Sequence, residues 1–131
     1  MGFKLSLRSE KALKGVHPAL VKVVRRAIAN STVDFRVNEG RRSLAQQKIN
    51  VRKGVSKTLK SKHLTGHAVD LIPLVNGRDS WAWPIYYRLA PFVKTAAKAE
   101  GVVVTWGGDW KSFKDGPHWE LNPAKYPMPK T

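Results

Sequence analysis

Cysteine is absent from this chain of 131 residues. Its absence excludes disulfide bonds, and it also excludes thiolate ligands, so a bound metal ion would need nitrogen and oxygen donors. The four histidines and nine acidic residues are the side chains that can supply such donors.

Long apolar runs are absent as well. No segment approaches the roughly 20 apolar residues of a membrane-spanning helix. The first eight residues also lack the apolar stretch of a secretory signal. The sequence therefore predicts no transmembrane segment, and we expect synthesis in the cytosol with export, if any, by another route.

Acidic residues are scarce. Nine Asp and Glu stand against 24 Lys and Arg, which gives a formal net charge of +15. A field of this sign attracts polyanions such as nucleic acid, anionic lipid or a phosphate-bearing cell wall. Charge alone does not choose among these partners.

The length and the hydrophobic content predict one folded domain that spans residues 1–131. Hydrophobic residues make up 42% of the chain and include five tryptophans, a composition typical of a packed core rather than of disorder.

Hydrophobic periodicity predicts alternating helices and strands. Helices are expected over 18–30, 43–54 and 84–101, and Pro91 is expected to split or kink the last one. Strands are expected over 33–37, 68–74, 102–106 and 118–121, with a loop over 55–62 and an irregular tail. This order favours an α+β domain with a small, mainly antiparallel sheet and helices on one face.

Two short stretches, 61–70 and 115–118, carry residues suited to a catalytic zinc site. Such a site needs three protein ligands and an open position for water, and His63, Asp70 and His118 meet that count. A tight bend at Gly66, followed by a strand, would bring His63 and Asp70 to one metal. The same glycine argues against a helical His63 and His67 pair.

The first stretch matches a known signature position by position. The pattern Ser-x-His-x-x-Gly-x-Ala-x-Asp is typical of the M15 zinc peptidases, which include D-Ala-D-Ala carboxypeptidases, dipeptidases and phage endolysins, and it is carried here by Ser61, His63, Gly66, Ala68 and Asp70. Asp115-Gly-Pro-His118 resembles the second motif of that family. Other stretches look like the compact branch that includes phage L-alanyl-D-glutamate endopeptidases: 15–18, 37–43, 56–58, 106–110 and 118–120.

The resemblance implies a hedgehog/DD-peptidase-like fold and a Zn²⁺ ion held by His63, Asp70 and His118. It also implies that Asp115 is the catalytic acid and base, although many members carry Glu at that position. Glu120 and Asp109 are the alternative bases. Asp115 or Glu120 could instead be a solvated carboxylate or a partner of a ligand histidine.

Five further residue assignments accompany this site. The resemblance selects Arg42 over Arg41 as the arginine that stabilises the oxyanion or binds a substrate carboxylate. Trp106 and Trp110 are candidates for the cleft lining, with the core as the alternative. His67 is interpreted as a neighbour of the site and His17 as a helix-entry residue.

The leading hypothesis is a monomeric, phage-type endolysin: a zinc peptidase that cuts the L-Ala–D-Glu bond of the peptidoglycan stem peptide. It would accumulate in the host bacterial cytoplasm and reach the wall when a partner opens the membrane, and its charge would concentrate it at the anionic cell envelope. No specific nucleic acid partner is expected. The alternatives are a carboxypeptidase that removes terminal D-Ala, a non-enzymatic cationic binder of nucleic acid or membrane, and a metal-stabilised structural protein.

Overall fold

A computed structural model describes residues 2–39, 65–112 and 114–127. The predicted helix over 43–54 and the predicted loop over 55–62 lie outside the described residues. The helices are α1 (Leu7–Ala12), α2 (Pro18–Asn30) and α3 (Trp83–Glu100). The strands are β1 (Asp34–Glu39), β2 (Ala68–Val75), β3 (Arg78–Asp79), β4 (Val104–Trp106) and β5 (His118–Leu121).

The strands form one small antiparallel sheet in the order β1-β2-β5-β4, and β3 pairs with the end of β2. The β2–β3 hairpin turns at Asn76 and Gly77, both of which have positive φ. The prediction of an α+β domain with a small antiparallel sheet is therefore confirmed.

The two faces of the sheet differ in what they carry. Side chains alternate along a strand, and Val69 and Leu71 of β2 join Trp119 and Leu121 of β5 in the core that packs against α2 and α3. The intervening residues of β2 and β5 project from the opposite face. The sequence thus separates a helix-covered apolar face from a face that holds ionisable side chains.

Helix α2 supplies one wall of this core. It begins at Pro18, and the ring of His17 caps it by accepting a hydrogen bond from the Ala19 N–H through Nδ1 at 3.1 Å. The buried residues recur at helical spacing: Leu20, Val23, Val24, Ala27 and Ile28. The predictions for this helix and for His17 are confirmed.

Helix α3 supplies the second wall and passes through Pro91 without a break, so the prediction of a split there is wrong. A proline at this position leaves the carbonyl of Tyr87 without its helical partner. Both Pro91 and Tyr87 lie on the exposed side of the helix, where water can hydrate that carbonyl. The helix ends at Gly101, whose φ of 70° is the left-handed conformation of a C-terminal cap.

The strand predicted over 102–106 is shorter than expected and begins at Val104. The N–H of Val102 bonds to the carbonyl of Ala97 at 2.9 Å as part of the cap of α3. Because the cap uses this backbone group, the residue does not pair in the sheet.

Helix α1 was not expected from the sequence. Ser6 caps it by accepting a hydrogen bond from the Ser9 N–H at 3.1 Å. Ser9 is buried, and its hydroxyl accepts a hydrogen bond from the N–H of Val37 at 3.0 Å, which ties the helix to β1. A six-residue helix offers too little periodicity for detection.

The bend expected at Gly66 is present. Its φ is +75°, and its carbonyl accepts a hydrogen bond from the N–H of His17 at 2.8 Å. A Cβ at this position would lie 2.2 Å from the carbonyl oxygen of Gly15. A left-handed residue here also excludes an unbroken helix that would place His63 and His67 on one face.

Gly66→Ala should therefore destabilise the fold more than Gly77→Ala does. Both substitutions place a side chain on a residue with positive φ, but a Cβ at Gly77 meets nothing within 4 Å. We expect a loss of about 1–2 kcal/mol in the free energy of unfolding for Gly77→Ala. Gly66→Ala should cost about 1–3 kcal/mol more because of the backbone clash. Urea unfolding checks this, and equal losses would contradict it.

Candidate active site

Asp70 of β2 and His118 of β5 face each other across the sheet. They are directly paired in the antiparallel register, so their side chains leave the same face at neighbouring positions. Nδ1 of His118 lies 3.6 Å from Oδ1 of Asp70, and both side chains are largely buried. The structure thus brings together two of the three predicted metal ligands.

Glu120 forms a hydrogen bond with the other ring nitrogen of His118. Its Oε1 lies 2.8 Å from Nε2 of His118. An ionised carboxylate only accepts hydrogen bonds, so Nε2 is the donor, and in the neutral ring Nδ1 carries the lone pair that faces Asp70. A histidine whose second nitrogen is held by a carboxylate is typical of metal ligands.

The electrostatic environment of His118 favours its charged form when no metal is bound. Burial by itself lowers the pKa of the imidazole, but contacts with Asp70 and Glu120 and the negative charges of both carboxylates outweigh burial and raise the pKa to about 9. The carboxylates of Asp70 and Glu120 therefore stabilise a positive charge on the imidazole between them.

Asp115 lies beside this pair because the loop that carries it folds back on itself. The N–H of Asp115 bonds to the carbonyl of Gly107 at 3.1 Å, and the N–H of His118 bonds to the carbonyl of Asp115 at 3.3 Å. A Cβ built on Gly107 would lie 3.0 Å from Cβ of Asp115 and 3.1 Å from Cβ of His118. The side chains of Asp115 and His118 thus begin next to each other.

The two candidate cleft tryptophans occupy different environments. The ring centroid of Trp110 lies 5.1 Å from that of His118, so Trp110 borders the site. Trp106 is buried in the core and stacks on Trp119 at 5.6 Å. Of the two, Trp110 alone lies against the imidazole of His118.

Two other sequence candidates make contacts with residues outside this pair. Asp109 is exposed and forms an ion pair with Lys94 at 2.7 Å. The buried ring of His67 lies 5.4 Å from the ring of His17, and its Nδ1 is 2.7 Å from Oγ1 of Thr65. These contacts place the ring of His67 next to the helix-entry residue His17.

The remaining two site residues, His63 and Arg42, lie outside the described residues. Among the residues that the structure does describe, no group of three His, Asp or Glu could hold a metal ion. Asp70 and His118 nevertheless supply one oxygen and one nitrogen donor from a shared face, and this donor set suits zinc. The two residues present therefore fit a metal site, and a third ligand would complete that site.

Comparison with known proteins identifies the family of this chain. Residues 1–122 match the family model described as phage L-alanyl-D-glutamate peptidase. The chain belongs to this family.

Individual relatives of the phage L-alanyl-D-glutamate peptidase family agree. The chain is 37% identical to the L-alanyl-D-glutamate peptidase of Escherichia phage T5, over 96% of this chain and 94% of that protein. It is 35% identical to the L-alanyl-D-glutamate peptidase of Listeria phage A118, over 72% of this chain and 32% of that protein. The crystal structure of the Serratia marcescens L-Ala D-Glu endopeptidase ChiX superposes with a TM-score of 0.90 at 49% identity, covering 95% of both chains.

Tyr86 is a neighbour of this peptidase site that the sequence did not reveal. Its ring packs against Gly116, where a Cβ would lie 2.8 Å from the ring. Burial and the charges of Asp115 and Asp70 raise the pKa of the Tyr86 hydroxyl to about 12, so the phenol is neutral. Since α3 and the Asp115 loop are distant in sequence, only the fold shows this contact.

The pKa of His118 predicts how stability changes with pH in the metal-free protein. The folded-state pKa of about 9 lies above the ordinary value of 6.5, so protonated His118 stabilises the fold below about pH 6.5. That contribution is lost as the pH rises from about 6.5 to about 9. The loss in free energy of unfolding should be on the order of 3 kcal/mol.

Urea unfolding at several pH values with a chelator present measures this loss, and an NMR titration of His118 measures the pKa directly. Glu120→Gln removes one of the two negative charges, so it should lower the pKa of His118 and flatten the pH dependence. An unchanged pKa in Glu120→Gln would contradict the role given to Glu120.

Proposed function

We propose that the chain is a zinc-dependent endolysin that hydrolyses the L-Ala–D-Glu bond of the peptidoglycan stem peptide. Membership of the phage L-alanyl-D-glutamate peptidase family carries this proposal. The facing Asp70 and His118, with Glu120 behind the imidazole, support a metal-assisted hydrolysis at this face of the sheet.

The metal would be held by His63, Asp70 and His118. Zinc in such a site acts as a Lewis acid on a carbonyl and lowers the pKa of bound water to about 7. When the metal is bound, Glu120 would hold the ring of His118 through Nε2 and leave Nδ1 available to the metal. This use of Glu120 favours Asp115 over Glu120 as the general base.

Asp115 would move the proton. Its carboxylate accepts the proton of the attacking water and returns it to the amine that leaves when the peptide bond breaks. The backbone bonds that join Asp115 to Gly107 and His118 hold the main chain of Asp115 beside His118 before substrate arrives. Arg42 would stabilise the negative charge on the carbonyl oxygen or hold a carboxylate of the substrate.

The surface charge supports an anionic envelope as the place of action. Four acids outside the site are neutralised by surface cations in the pairs Arg25–Glu10, Arg26–Glu100, Arg36–Asp79 and Lys94–Asp109. Three of the remaining acids, Asp70, Asp115 and Glu120, belong to the site. The net charge of +15 already includes all nine acids, so the excess of Lys and Arg gives the protein a positive field.

The route to the wall is part of the proposal. Within the described residues, no helix is long and apolar enough to cross a membrane. We propose that the protein accumulates in the host cytoplasm as a monomer and reaches peptidoglycan when a separate partner opens the membrane.

Digestion of purified peptidoglycan tests the reaction. Mass spectrometry should show new amino-terminal D-Glu on the stem peptides, with loss of cleavage in chelator and recovery with zinc. Release of free D-Ala would indicate a carboxypeptidase instead. Stem peptides that stay intact with zinc present would refute the proposed function.

Substitution of Asp115 tests the assignment of the base. Asp115→Asn should bind zinc as the wild type does but lower kcat by about 10²–10⁴-fold, because the amide cannot accept the proton. Asp109→Asn is the matched control, since this acid lies in the same loop region but pairs with Lys94 on the surface. Retained turnover in Asp115→Asn would move the base elsewhere, with Glu120 as the next candidate.

A further inference from the structure

Three exposed aromatic residues lie together before and in the first turns of α3. The exposed fractions are 60% for Trp81, 37% for Trp83 and 53% for Tyr87. Exposure of large apolar side chains within one short segment costs free energy in water and often marks a binding surface. The reaction proposed above does not use any of the three.

Two of these rings are fixed in place by buried rings. Trp83 contacts Tyr86 at a centroid distance of 5.6 Å, and Tyr87 contacts Trp106 edge-on at 5.7 Å. Trp83 and Tyr87 also contact each other at 5.7 Å. We call Trp83 and Tyr87 the aromatic platform.

The platform is joined to the active-site loop through both buried rings. The ring of Tyr86 lies against Gly116, and Nε1 of Trp106 donates a hydrogen bond to the carbonyl of Gly116 at 2.7 Å. Gly116 directly follows Asp115. Each exposed ring is thus separated by one buried side chain from the residue next to the proposed base.

From this arrangement we propose that Trp83 and Tyr87 bind the glycan strand of peptidoglycan, by stacking on the pyranose rings of its N-acetylhexosamines. This inference rests on the proposed function, because it concerns the same substrate. Pyranose rings present faces of C–H groups that pack on aromatic rings, whereas their hydroxyls stay in water at the edges.

The covalent structure of the substrate supports the sugar as the occupant. The L-Ala of a stem peptide is attached through a lactyl group to its sugar, so one residue and a short linker separate the sugar from the scissile bond. A residue spans at most about 3.5 Å, so the sugar lies within about 10 Å of the reacting carbonyl. The platform is joined to the Asp115 loop through one buried ring on each path, so the sugar is the part of the substrate that we expect it to meet.

A membrane interface is the competing partner for exposed aromatic residues near basic ones. The platform fits it less well, because both rings are held by buried neighbours and Trp83 is more than half covered. Rings fixed in this way suit a rigid sugar better than insertion into lipid. The experiment must therefore distinguish binding to a membrane from binding to the glycan strand.

Paired substrates test the proposal. One is the disaccharide-linked stem peptide, and the other is the same peptide without sugar. The double variant Trp83→Ala/Tyr87→Ala should lower kcat/KM by about tenfold on the sugar-linked substrate, a loss of about 1.4 kcal/mol, and by less than about twofold on the free peptide. Leu7→Ala, at an exposed apolar residue on α1, is the control and should change neither value.

An equal loss on both substrates would overturn the proposal, because it would show a general effect on the fold or on peptide binding. If the wild type cleaves neither substrate, the proposed function fails, and direct binding then decides the glycan inference alone.

That binding is measured on the wild type by NMR with chitotetraose, and the indole signal of Trp83 is identified with Trp83→Phe. Selective shifts of this signal at millimolar sugar support the platform. An unchanged signal would overturn it, and so would shifts that appear only with phosphatidylglycerol vesicles.

Discussion

The pairing of β2 with β5 is the constraint on which the rest of the site depends. It places Asp70 opposite His118 and Ala68 opposite Glu120, so three site residues and one small residue share a face. A slip of one residue would turn Asp70 into the core and Val69 out of it. The burial of Val69, Leu71, Trp119 and Leu121 therefore fixes the position of the side chains in the candidate site and also stabilises the fold.

The aromatic core has a second role because it supports the loop after β4. Trp106 stacks on Trp119 of β5 and donates a hydrogen bond to the carbonyl of Gly116. The ring of Tyr86 also packs against that glycine. The loop that carries Asp115 is thus held by side chains that belong to the hydrophobic core, which makes the geometry of the site sensitive to core packing.

The sequence predicted best those features that depend on residues close together in the chain. The bend at Gly66, the strand with Asp70 and the helix entry at His17 follow from turn, strand and capping patterns within a few residues, and the structure agrees with them. A split or a kink was expected at Pro91; the split is absent because the exposed side of α3 tolerates the missing hydrogen bond.

Contacts between residues far apart in the sequence could not be predicted from local sequence patterns. Trp106 and Trp110 look equivalent in sequence, yet one stacks in the core and the other lies against His118. The contact of Tyr86 with Gly116 joins segments that only the fold brings together. The assignments of His63 and Arg42 depend on the family signature and stay predictions, since both lie outside the described residues.

The choice of Asp rather than Glu at position 115 is consistent with the absence of a side chain at Gly107. A shorter acid reaches the site only if its backbone comes closer to His118. The two sides of the loop do approach closely, because a Cβ at Gly107 would lie 2.3 Å from the carbonyl oxygen of Asp115. In the role proposed for Asp115, Gly107 would compensate for the missing methylene by letting the backbone approach. A larger residue at position 107 would then favour the longer acid at 115, so the two positions should be read as one structural unit.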